Sequence, residues 1–279
     1  MPDVSRCEAQ RFKYIHKDGV APMIRSLDVS ASVQVLLLPR AHYEASYVTD
    51  CDQVGFAFET QTGEHAFASD RKSPFRTHPN SLSYIPAGCD VYSHSPSGGE
   101  YLLVRLRGDR PLGMRRFNDL VHTGAGAASC GLRRILLSGN PAPELDVENC
   151  VSMLLSATTQ VLTGDFTIPA AARWMTRRRL RIVDELIDAE LHSRLTVASM
   201  AAKLELSPEF FIRTFKAAVG MTPHAYVMER RVGRARALLQ YSLLTLAGIA
   251  AECGFASQAH MATTFRNRLG IRPSALRAG

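Results

Sequence analysis

"AAECGFASQAHMATTFRNRLGIRP", Ala250 to Pro273, decides the fold, because a looser copy of it stands fifty residues earlier: "AAKLELSPEFFIRTFKAAVGMTP", Ala201 to Pro223. Ala201 and Ala202 answer to Ala250 and Ala251, Ser207 to Ser257, Phe211 to Met261, Phe215 to Phe265, Lys216 to Arg266, Gly220 to Gly270 and Pro223 to Pro273. Leu195-Thr196 answers to Leu244-Thr245, so the offset drifts from 49 to 50 through a single extra residue in the second turn. Two copies are too few for a solenoid, which needs at least about three repeats to bury a continuous core. The pattern implies two compact modules.

Each copy reads as helix, tight turn, longer helix, stop. Thr196 and Thr245 stand where a hydroxyl can accept from the orphan N–H groups of a first turn, and a short Ala-rich helix follows. The breaks "KLELS" and "ECGFAS" each carry an apolar residue, Leu206 or Phe255, and a second capping hydroxyl, Ser207 or Ser257. Apolar residues then recur at helical spacing, Phe211, Phe215 and Val219 in one copy and Met261, Phe265 and Leu269 in the other. Gly220 and Gly270 fall where a helix ends in a left-handed residue, and Pro223 and Pro273 prevent continuation. This is a helix-turn-helix, present twice.

Many packed helix pairs share that pattern without touching DNA; charge separates the cases. Residues 171–279 hold 17 of the 33 Lys and Arg but 8 of the 26 Asp and Glu, a net of +9, leaving 16 against 18, or −2, for residues 1–170. A basic surface on the duplicated module is what phosphate binding requires. Between the copies, "PHAYVMERRVGRARALLQ" reads as one helix, Pro223 to Gln240, with Pro in its first turn and Arg230, Arg231, Arg234 and Arg236 along it. A rigid linker holding the second helices about 34 Å apart places them in successive major grooves on one face of B-DNA.

These residues, "SPEFFIRTFKAAVGMTPHAYV", "RRVGRARALL" and "IAAECGFASQAHMATTFRNRLGIRPSALR", resemble the AraC/XylS transcription regulators over about the last hundred positions. The resemblance implies a DNA-binding module of two helix-turn-helices acting near promoters, opened by a helix from Met175 to His192. Carried over residue by residue, it puts Glu209, Ile212 and Arg213, and Gln258, Ala259, His260, Ala262 and Thr263, on the groove-facing side, with Lys216 and Arg266 reaching phosphates. Phe210, Phe211, Phe215, Met261 and Phe265 are expected in the core. Glu209 equally fits a favourable charge in a helix first turn. Ala262 and Thr263 are short, so the second helix has less reach into a groove.

Residues 1–170 are expected to form a small β-barrel or sandwich with trailing helices, giving an α+β chain with a boundary near Asp165 to Arg173, where "DFTIPAAAR" interrupts the helical pattern. Its strands are sought in "SVQVLLLP", "QVGFAFETQ", "EHAFASD", "SLSYIP" and "EYLLVRLRG", short and rich in β-branched and aromatic residues between turn signals. From Pro141 to Gly164 the period becomes helical, with Leu145, Val147, Val151, Leu154, Leu155, Val161 and Leu162 in one stripe, to be buried against its own sheet or a second subunit. In the resembling family such a cupin-like barrel regulates and dimerises, which implies a homodimer, a small-molecule effector and, for an activator, RNA polymerase as a partner. Phe56, Phe58, Phe67 and Tyr84 are the aromatic candidates for an effector pocket.

Other functions find little support. A metal needs three or four converging lone pairs; "PRAHYEASYVTD" offers His42 alone, "IPAGCDVYSHS" has Val91 where a ligand His belongs, and His65, His78 and His94 are scattered, so no metal or cofactor is expected. No Ser/His/Asp set, P-loop or carboxylate pair is visible, which leaves a cupin-type enzyme with a helical assembly tail as the alternative. Cys7, Cys51, Cys89, Cys130, Cys150 and Cys253 show no C-x-x-C spacing, so free thiols in a reducing compartment are expected. "MPDVSRCEAQRFKYIHKDG" has no continuous apolar run, and none elsewhere is long enough to span a bilayer, so a cytoplasmic location is expected.

Overall fold

The computed structural model describes residues 12–14, 23–108 and 111–277. Cys7 and most of the N-terminal stretch lie outside them. The chain divides into two compact units, Met1–Phe166 and Thr167–Gly279.

The N-terminal unit is built from two antiparallel sheets. Its strands are β1 (Phe12–Tyr14), β2 (Arg25–Asp28), β3 (Val33–Leu38), β4 (Tyr43–Val48), β5 (Asp52–Ala57), β6 (Gln61–Phe67), β7 (Ser73–Thr77), β8 (Ser81–Ile85), β9 (Asp90–Ser95), β10 (Tyr101–Leu106) and β11 (Phe117–Leu120). One sheet runs β1-β4-β9-β6-β7 and the other β11-β8-β5-β10-β3-β2, and neither order closes on itself. Sequence reasoning locates β3, β5, β6, β8 and β10 but passes over β1, β2, β4, β7, β9 and β11.

Register fixes which side chains share a face, because successive residues point to opposite sides and paired residues to the same side. In the six-stranded sheet Val54 pairs with both Tyr84 and Val104, and Phe56 with both Leu82 and Leu102. This face carries α1 (Thr123–Ser138) and α2 (Glu144–Thr163): α1 packs against β2, β3 and β5, and α2 against α1 and β8. Arg133 of α1 is buried, lies over the Phe58 ring and pairs with buried Glu100 at 2.7 Å. The opposite face, with Gln53, Gly55, Ser83 and Tyr101, looks toward the other sheet, where the Tyr47 hydroxyl donates to Gln53 Oε1 at 3.0 Å.

The apolar stripe of residues 141–164 is covered within the chain in part. Leu154 is completely buried and Val147 and Val151 nearly so, Leu155, Val161 and Leu162 are half-buried, and Leu145 and Met153 are well exposed.

The C-terminal unit is helical: α3 (Arg177–Glu190), α4 (Val197–Lys203), α5 (Pro208–Val219), α6 (Pro223–Tyr241), α7 (Leu246–Glu252) and α8 (Gln258–Leu269). Met175, Val183, Ile187, Met200, Ala201, Phe211, Phe215, Tyr226 and Val227 form one core. In the second copy Val232, Ala235, Leu239, Ile249, Ala250, Met261, Phe265 and Leu269 are buried. The linker arginines are structural as well as basic: Arg230 pairs with Asp188, and Arg231 donates to the carbonyls of Leu191 and Ser193.

Both tight turns reverse the chain through one left-handed residue, Glu205 at φ 57° and Gly254 at φ 75°. The following amides then bond back identically, Leu206 N–H to Ala201 O at 3.0 Å and Phe255 N–H to Ala250 O at 2.8 Å. A side chain at position 254 has no room, since its Cβ would lie 2.3 Å from the Leu191 carbonyl oxygen. Position 205 carries a side chain at a cost of about 1 kcal/mol. Glu205→Gly is therefore expected to stabilise the C-terminal unit by up to about 1 kcal/mol and Gly254→Ala to destabilise it by about 2 kcal/mol or more, both read from urea midpoints.

Candidate nucleic-acid interface

The two second helices, α5 and α8, present the candidate surface, and each is fixed at both ends by its own sequence. Ser207 Oγ accepts from Phe210 N–H and Ser257 Oγ from His260 N–H; Thr196 and Thr245 cap α4 and α7 in the same way. Gly220 at φ 74° and Gly270 at φ 73° end α5 and α8 in the left-handed conformation, their N–H groups bonding to Lys216 O and Arg266 O. Phe211, Thr214, Phe215 and Val219 face inward on α5; Met261, Thr264, Phe265 and Leu269 do so on α8.

What remains outward on α5 is Glu209, Ile212, Arg213 and Lys216, at i, i+3, i+4 and i+7, all exposed. On α8 the outward residues are Gln258, Ala259, His260, Thr263 and Arg266, with Ala262 partly covered. Sequence and structure thus bring the same sets together on one helix face each. Phe210 departs from its expected core place: it is half-buried, with the Arg213 guanidinium 5.1 Å over its ring and Trp174 edge-on at 5.4 Å. His260 Nδ1 accepts from Ala256 N–H at 3.3 Å, which puts the ring proton on Nε2, facing away from the turn as a donor. Arg266 reaches back to Thr263 Oγ1 at 3.4 Å.

The space between the sheets is a second candidate, and its lining differs from the sequence expectation. Phe56, Phe58 and Tyr84 belong to the helix-covered face: Phe56 and Phe58 pack edge to face at 5.2 Å, and Tyr84 donates to Asp52 Oδ2 and accepts from Gly113 N–H. Only Phe67 of the four faces the other sheet, sharing its side with paired Val91. With it stand Tyr43, Tyr47, Gln53, His65, Ser83, Ser93 and Tyr101, which sequence reasoning missed because polar residues on an inward face erase the alternation that marks a strand. The Tyr101 and Ser83 hydroxyls lie 2.6 Å apart, and Tyr43 Oη lies 3.1 Å from Ser93 Oγ. Gly55 makes this possible, because a Cβ there would lie 1.8 Å from Tyr101 Oη. Burial pushes the Tyr101 phenol up to about 12 and raises Tyr43 too, so both stay protonated.

His42 and His94, distant in sequence, meet at 3.1 Å through their Nε2 atoms. Among the described residues no group of three or more His, Cys, Asp or Glu is placed to hold a metal.

This geometry defines a double helix-turn-helix unit, and the comparisons say what that unit is similar to. Residues 200–279 match the family model of a helix-turn-helix domain. "Probable transcriptional regulator LumQ" of Photobacterium leiognathi is 28% identical over 127 residues, 46% of this chain and 51% of that protein. The HTH-type transcriptional activator RhaS of Escherichia fergusonii is 36% identical over 81 residues, 29% of this chain and 31% of that protein. A crystal structure of a transcriptional regulator from Chromobacterium violaceum, of the proteins containing an AraC-type DNA-binding domain, is similar at 32% identity with a TM-score of 0.35, covering 37% of this chain and 91% of that one. The chain spans about half the length of LumQ and less than a third of that of RhaS. Residues 200–279 of the chain are thus similar to the helix-turn-helix domains of these transcriptional regulators.

His65 ties the inter-sheet space to pH. It stacks on Phe75 at 5.0 Å, and burial, helped by the Arg116 charge, lowers its pKa below the ordinary 6.5. A His held neutral contributes stability that is present above its unfolded pKa and is lost as pH falls through the lowered folded value. The N-terminal unit is expected to lose stability on acidification below about pH 6.5, and His65→Phe to flatten that part of the profile; equal slopes in urea titrations of the two proteins would contradict it.

Proposed function

We propose that the chain is a sequence-specific, double-stranded-DNA-binding transcription regulator, without catalytic activity, whose N-terminal unit takes a small organic effector. The observation that carries the reading is the pair of exposed faces on α5 and α8, built by one local sequence rule and projecting from a unit of net charge +9. Arg213 has the planar fork that pairs bidentately with a guanine edge, worth about 1–3 kcal/mol of discrimination. Glu209, Ile212, Gln258, Ala259, His260, Ala262 and Thr263 are the remaining base-facing positions, and Lys216 and Arg266 sit one turn farther along, where phosphates run. RNA polymerase is the further partner wherever the protein activates.

The effector reading rests on the inter-sheet space. Strands β3 to β10 are ordered β4-β9-β6-β7 in one sheet and β8-β5-β10-β3 in the other, the order of a double-sheet jelly roll, the architecture that includes cupins, and this supports a cupin-like regulatory unit. Tyrosine hydroxyls, serines and Gln53 around apolar rings suit an uncharged organic molecule fixed by a few hydrogen bonds. No helix among the described residues is long and apolar enough to cross a membrane.

Arg213→Ala is expected to relax preference at one base position by about 5-fold or more. Arg266→Ala should weaken all sequences alike and lower the salt slope by about one phosphate's share. Binding across single-base variants at several salt concentrations checks both, and a uniform loss for Arg213→Ala would reverse the assignment. A metabolite-library thermal-shift screen checks the effector: a hit should lose about 3- to 10-fold in affinity in Tyr101→Phe. No hit, or an unaffected Tyr101→Phe, overturns the pocket.

A further inference from the structure

A groove of about 590 Å3 lies in the C-terminal unit beside the start of α5. Its walls are the 3-10 turn Ala170–Trp174, the first turns of α3 and the α4–α5 turn. Four cations line it, Arg173, Arg178, Arg179 and Lys203, against one carboxylate, Glu205. Arg179 donates to the Trp174 carbonyl at 2.7 Å; the side chains of Arg173, Arg178 and Lys203 have no hydrogen-bond or ion-pair partner among the described residues. Trp174, the only tryptophan of the chain, is 56% exposed at the groove while its ring edge meets Phe210 of α5.

Unpaired cations around a concavity repel one another, and the arrangement is favourable once an anion neutralises them. Trp174 on Phe210 places the groove directly beside the first recognition helix. We propose that this groove is a second DNA-backbone site, holding the phosphodiester chain that flanks the base pairs under α5, with Arg173, Arg178 and Lys203 on phosphates and the exposed indole against the sugars. The inference rests on the DNA-binding reading above. It extends the contact beyond both recognition helices and makes the segment that opens the C-terminal unit part of the interface. Phosphate contacts position a protein and carry no base information.

The test uses the full chain and a duplex selected from a random pool. In Arg178→Gln/Lys203→Gln the slope of log affinity against log salt should shrink by about 1.8, two phosphates' share, with the ranking of single-base variants unchanged. Trp174 emission should shift on duplex addition and become shielded from acrylamide. Either an undiminished slope or an unaltered Trp174 in a chain that binds the duplex overturns the proposal, and leaves an acidic protein partner as the occupant to test. A chain that selects no duplex at all overturns the DNA-binding reading instead.

Discussion

Everything the C-terminal unit does depends on one helix serving two cores. Tyr226 and Val227, near the start of α6, are buried with Phe211 and Phe215 of the first copy; Val232, Ala235 and Leu239, farther along, are buried where α6 packs on α7 and α8. A continuous helix rises about 1.5 Å per residue without slack, so the two recognition helices cannot drift independently. Asp184 accepts from the Tyr226 hydroxyl at 2.6 Å, and Arg230 and Arg231 tie the same helix to α3 and its following turn. The buried Tyr226–Asp184 pair tolerates few alternative positions, because any shift leaves a polar group unpaired.

That constraint explains the division of labour among the charges. The arginines of α6 add to the unit's basic balance, yet Arg230 and Arg231 have inward partners, and Arg268 of α8 is held by Glu229 at 2.7 Å. Cations with no such partner gather elsewhere, at Arg173, Arg178 and Lys203 and on the outward faces of α5 and α8. Net charge thus singled out the helix-turn-helix unit without singling out its unpartnered residues.

The C-terminal fold was legible because its signals are local: a capping hydroxyl, an apolar stripe and a terminal glycine lie within each fifteen-residue stretch. Even the extra residue in the second turn is real, Leu204–Ser207 against Cys253–Ser257. The N-terminal unit was less legible for physical reasons that named residues show. In β4 and β9, Tyr43, Tyr47 and Ser93 turn inward and Val48 outward, which inverts the pattern that a half-buried strand normally displays. Helix α1 was missed because Gly124, Gly126 and Gly131 depress its helical propensity; at Gly131 a Cβ would lie 2.7 Å from Cys150 Sγ of α2. The effector candidates were misassigned for a related reason, since Phe56 and Tyr84 are aromatic but face the helices. Aromatic character alone does not say which side of a sheet a residue occupies.

The central claim is that one rigid linker presents two reading helices to the same side of a DNA duplex. Hydroxyl-radical and methylation footprinting of the protein on a selected site tests it directly. Two protected major-groove segments, centred about 10–10.5 base pairs apart and on one face of the duplex, are predicted. A single protected segment, or two on opposite faces, would contradict it.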